Sequence, residues 1–89
     1  MKGIPIMGKS ITIYTRTTCA YCVQVKRYLD MKQKTYDVIN LDEDPALADE
    51  VIAKSGARTV PVVIVRNEEN GQENITVGWN PGKLAAAIA

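Results

Sequence analysis

Apolar residues recur along this chain in two rhythms. Ser10-Ile-Thr-Ile-Tyr-Thr15 alternates β-branched and aromatic residues with period two, which predicts a half-buried strand. From Cys19 to about Lys32 the period lengthens. Cys22, Val25 and Leu29 fall at i, i+3 and i+7, the single apolar stripe of an amphipathic helix. Lys26, Arg27 and Lys32 occupy its later half, where cations suit the negative end of the helix dipole. Thr35–Asn40 predicts a second strand through Tyr36, Val38 and Ile39. Asp44 then reads as an N-cap and Pro45 as the first residue of a helix running to Ser55, buried through Leu47, Val51 and Ile52 and closed by Gly56. Pro61–Arg66 is a continuous apolar run, the pattern of a buried strand. Asn67–Gln72 contains the turn pair Asn70-Gly71, and Glu73–Gly78 returns as its hairpin partner. Asn80 caps a last helix with Pro81 at its first position and Leu84 and Ile88 inside.

The order βαβαββα fixes most of a topology. A strand–helix–strand opening implies a right-handed crossover and a parallel pair, to which the hairpin adds two antiparallel strands. The expectation is an α/β fold with a four-stranded mixed sheet and helices on both faces. Its 89 residues suffice for one domain spanning 1–89, with residues 1–9 as a loose arm.

Composition narrows the chemistry. The chain has no histidine and two cysteines, so triads and zinc sites that need imidazole are excluded. A net charge of +1 gives no electrostatic case for nucleic acid. No apolar run approaches the roughly 18 residues of a membrane span. Met1–Lys9 lacks the apolar core of a secretory signal, and two cysteines three apart staple nothing. Both point to a cytoplasmic protein. Charge is unevenly spread: bases dominate before Tyr36, and six acids with no base fill residues 37–50. That division reads either as two solvated faces or as a dipole orienting a partner.

Cys19-Ala20-Tyr21-Cys22 lies where a strand gives way to a helix. Unpaired N–H groups and the positive dipole end there favour an anion, and Arg16 adds a cation. A lowered pKa is expected at Cys19, the attacking nucleophile. Cys22, one turn deeper, is the more shielded resolving thiol. Lowering a thiol pKa from ~8.5 to ~7 raises the thiolate fraction about 16-fold, but weaker nucleophilicity takes back about fivefold. The net gain in attack is therefore only about threefold. A zinc site would want four ligands, and no third Cys or any His is present.

Tyr14-Thr15-Arg16-Thr17-Thr18-Cys19-Ala20-Tyr21-Cys22 resembles the active-site segment of glutaredoxins, within the thioredoxin superfamily, with Ala20 where many members have Pro. Ser55-Gly56-Ala57-Arg58-Thr59-Val60-Pro61-Val62 resembles the second landmark of that family. The resemblance implies a thioredoxin-like fold and a thiol–disulfide oxidoreductase. It also implies a cis bond before Pro61 that offers the Val60 backbone to an extended peptide or to glutathione. Substrate contacts are expected from Arg16, Tyr21, Arg58, Thr59, Val60, Pro61, Gly78, Trp79 and Asn80. Glutathione-using members carry Gly-Gly and then an Asp. Here Gly78-Trp79-Asn80-Pro81 has no acid and looks more like NrdH-type redoxins. Those take electrons from thioredoxin reductase and pass them to ribonucleotide reductase. Arg16 and Arg58, in contrast, sit where glutaredoxins use cations on glutathione. The implied electron donor is therefore glutathione or thioredoxin reductase, the targets are disulfide proteins, and no cofactor is tightly bound. An alternative reading is a glutathione-dependent dimer holding a [2Fe–2S] cluster through Cys19. A monomer is the default expectation.

Overall fold

A computed structural model describes residues 9–89. The elements are β1 (Lys9–Thr15), α1 (Cys22–Met31), β2 (Asp37–Asn40), α2 (Pro45–Ser55), β3 (Val62–Asn67), β4 (Glu73–Val77) and α3 (Pro81–Ile88), with a 3-10 turn at Leu41–Glu43 before α2. The expected loose arm falls on residues 1–8, outside the described residues. Lys9 itself is not part of an arm: it opens β1 opposite Asn67.

The sheet runs β2-β1-β3-β4. β1 and β2 are parallel, with Ile13 opposite Val38. β3 is antiparallel to both neighbours, with Ile13 opposite Val63 and Ile64 opposite Ile75. Strand alternation sends side chains to two faces. Ile11, Ile13, Val63 and Val65 form one face and pack with Val25 and Leu29 of α1 and Leu84, Ala87 and Ile88 of α3. Val62 and Ile64 form the other and pack with Ala48 and Val51 of α2 and with Leu41. Helices thus cover both faces, as the pattern predicted. β3 reads as an unbroken apolar run because it is central and covered twice.

Helix ends differ in an informative way. The Asp44 carboxylate accepts from the Leu47 N–H, and the Asn80 amide oxygen from the Lys83 N–H, 3.1 Å each. Gly56 closes α2 in the left-handed region (φ 74°), as its position predicted. At α1 the expected boundaries move. The chain leaves the helix through Gln33 at φ 59°, with the Gln33 N–H on Asp30 O and the Lys34 N–H on Leu29 O. This is a Schellman closure built without glycine, so the sequence carried no stop signal. The first regular helical residue is Cys22 rather than Cys19, because Ala20 and Tyr21 form a turn ahead of it.

Candidate active site

The dithiol pair comes first. Cys19 and Cys22 are joined by a disulfide, their Cα atoms 5.5 Å apart, an ordinary separation for such a bond. Cys22 is 3% exposed and anchored among the buried residues of α1. Cys19 is only half-buried, in the loop before it. The two sulfurs therefore differ in access, the asymmetry a nucleophile and a resolving thiol require.

The start of α1 has no side-chain cap and no acid in its first turn, among the described residues. Its first helical bond runs from the Val25 N–H to Tyr21 O, 3.2 Å. The earlier amide groups are thus left to favour an anion, unlike the capped starts of α2 and α3. Tyr21 itself stands 57% exposed beside the pair, and Val23 is 54% exposed. They form apolar surface next to the disulfide.

The Val60–Pro61 peptide bond is cis, as the resemblance implied. Pro61 is fully buried, and its carbonyl accepts from the Gly78 N–H at 2.8 Å. Gly78 adopts φ 77°, a backbone that side chains rarely tolerate, so glycine there lets β4 end against the Pro61 loop. Val60 packs its side chain toward the α2 face. Its backbone N–H and C=O have no hydrogen-bond partner among the described residues. Thr59 and Arg58 are exposed.

Three of the residues expected as contacts also have partners within the fold. Trp79 is half-buried and meets Tyr28 edge-on, ring centroids 5.8 Å apart, within the α1–α3 core. The Asn80 amide oxygen is committed to capping α3. The Arg16 guanidinium, expected as a cation near Cys19, is paired with Asp42 at 2.8 Å.

Asp42 is the residue that sequence reasoning missed. One carboxylate oxygen accepts from Arg16 and the other from the Thr17 N–H at 2.7 Å. Asn40 braces the clasp: its oxygen accepts from the Asp42 N–H (2.9 Å) and its amide nitrogen donates to Thr17 Oγ1 (3.4 Å). Arg16 and Arg58 line one open depression of about 400 Å³ together with Asp42 and Asp49. The Thr17 N–H first, and then Arg16, hold the Asp42 carboxyl below its ordinary value. A depressed pKa stabilises the fold above the ordinary carboxylate range, and that contribution is lost as pH falls through the lowered value. Asp42→Asn is therefore less stable than the parent at neutral pH, and the gap narrows at an acidic pH below the ordinary carboxylate range. Urea midpoints at the two pH values check this, and an equal gap at both would refute it.

Comparison with known proteins gives one consistent answer. The sequence model of the glutaredoxin family matches residues 11–69. A glutaredoxin-like protein NrdH of Lactococcus lactis subsp. lactis is 36% identical over 53 residues, 60% of this chain and 72% of that one. A glutaredoxin of Pseudomonas aeruginosa is 31% identical over 80 residues, 89% of this chain and 95% of that one. Among solved structures, the NrdH-redoxin of Escherichia coli superposes with a TM-score of 0.72 at 31% identity, covering 86% of this chain and 92% of that one.

Proposed function

The chain belongs to the glutaredoxin family of thiol–disulfide oxidoreductases, and from that premise we propose that it reduces protein disulfides in the cytoplasm as a dithiol electron carrier. The Cys19 thiolate attacks a substrate disulfide, forming a mixed disulfide and releasing one substrate thiolate. Cys22, deprotonated, then attacks the Cys19 sulfur. The Cys19–Cys22 disulfide forms and the second substrate thiol leaves. Two electrons from a reductase restore the dithiol. The observation that carries this reading is the paired cysteines at the uncapped start of α1, one buried and one accessible. The unpartnered Val60 backbone supports docking of an extended substrate strand across Thr59 and Pro61, with Tyr21 as apolar contact.

The donor in this reading is thioredoxin reductase, with a protein such as ribonucleotide reductase as a target. No acid follows Gly78 before the end of the chain. Asn80 is spent on a cap and Trp79 on the core. A free amino acid group such as that of glutathione therefore finds no carboxylate there. The E. coli relative, described as having a thioredoxin-like activity profile, supports the same choice. NADPH consumption with a disulfide substrate, supplied in parallel by thioredoxin reductase or by glutathione with its reductase, tests it. Turnover at least about tenfold faster with thioredoxin reductase is expected, a difference of about 1.4 kcal/mol in transition-state free energy. Faster turnover through glutathione would overturn the donor assignment and leave the dithiol cycle intact.

A further inference from the structure

The depression beside the dithiol loop is charge-balanced. It holds two cations, Arg16 and Arg58, and two acids, Asp42 and Asp49, over a floor that includes Leu41 and Ile52. Asp42 is the acid bonded to one of those cations. Its second oxygen fastens the backbone at Thr17, two residues before Cys19. Arg16 is three residues from Cys19, so their Cα atoms lie within about 11 Å. That is near one Debye length at ~0.1 M salt, close enough for an unbalanced charge to be felt at the sulfur.

We propose that Asp42 is a positioning and specificity-determining residue. By holding and neutralising Arg16 it keeps the approach to Cys19 from selecting small anionic disulfides, and so leaves the site to neutral, strand-like protein substrates. This rests on the dithiol reading above and adds a cause for its substrate class. Without the Asp42 charge, Arg16 is released and the depression carries a net positive charge. Anionic disulfides are then drawn in and cationic ones repelled. Without the Arg16 charge, the depression keeps one cation and two acids, and the preference inverts.

The test uses the reduced full-length protein in stopped-flow reactions with three disulfides: glutathione disulfide (anionic), 2-hydroxyethyl disulfide (neutral) and cystamine (cationic). Rates with the charged disulfides are expressed relative to the neutral one, which removes any general loss from a loosened loop. In D42N the anionic-to-cationic ratio is expected to rise about fivefold or more at low salt and to collapse toward the parent value in ~0.5 M salt. In R16Q the ratio falls, and R16Q/D42N returns it to near the parent. A merely structural clasp would lower all rates together in both single variants, and an unchanged ratio in D42N and R16Q would overturn the proposal. The donor assignment is read from the unmodified protein with two reductases, so either idea fails without the other.

Discussion

Replacing Cys19 by Ser reduces disulfide turnover by at least about 10³-fold, because a hydroxyl at neutral pH supplies no anionic nucleophile comparable to a thiolate. Cys22→Ser behaves differently. Its first attack survives, but the mixed disulfide on Cys19 has no internal thiol to resolve it and accumulates as a covalent adduct. The contrast follows from burial: Cys22 lies inside α1 at 3% exposure, while Cys19 stands half-buried in front of it. Steady-state turnover and intact-mass spectra of both variants check the prediction. Retained turnover in Cys19→Ser, or an adduct on Cys22, would reverse the roles.

Leu29→Ala costs about 2–5 kcal/mol. Leu29 is fully buried where α1 meets the sheet, in the cluster shared with Ile13, Val63, Leu84 and Ile88. The change removes methyl groups and leaves a cavity that the central strands cannot close. Total stability for a chain of this length is roughly 4–13 kcal/mol, so the loss is a large share of it. A Tm drop of at least about 10 °C is expected. Thermal melts monitored by circular dichroism measure it. A loss under about 1 kcal/mol would mean that Leu29 does not anchor α1, and with it the Cys22 end of the site, to the sheet.

How much of this was legible beforehand depends on whether the cause was local. Period-two alternation in β1, the cap-and-proline starts of α2 and α3, and the Asn70-Gly71 hairpin are short-range signals, and each element formed where it was read. The start of α1 had no such signal. Ala20 and Tyr21 carry no capping side chain, so the helix was placed one turn too early. The turn at Leu41–Glu43 was missed because it is fixed by a buried leucine and the Asn40 side chain rather than by periodicity. Asp42 was hidden for a different reason. Its partners lie 25 and 26 residues away in sequence, and as one of six acids in residues 37–50 it reads as one charge of a solvated face. The same long-range pairing makes Arg16 half of a clasp, which no local pattern signals. Trp79 was ambiguous in sequence because an aromatic after glycine serves a surface or a core equally well. In the fold it is half-buried and meets Tyr28 edge-on, a contact from a distant part of the chain that no local pattern signals.

The most direct test of the dithiol account is a single turnover of the reduced protein with a disulfide-linked peptide pair, quenched in acid at successive times and mapped by mass spectrometry. The account predicts a mixed disulfide on Cys19 that rises first and then gives way to the Cys19–Cys22 disulfide, with both peptides released as thiols. An adduct first seen on Cys22, or peptide reduction with both protein thiols still free, would contradict it.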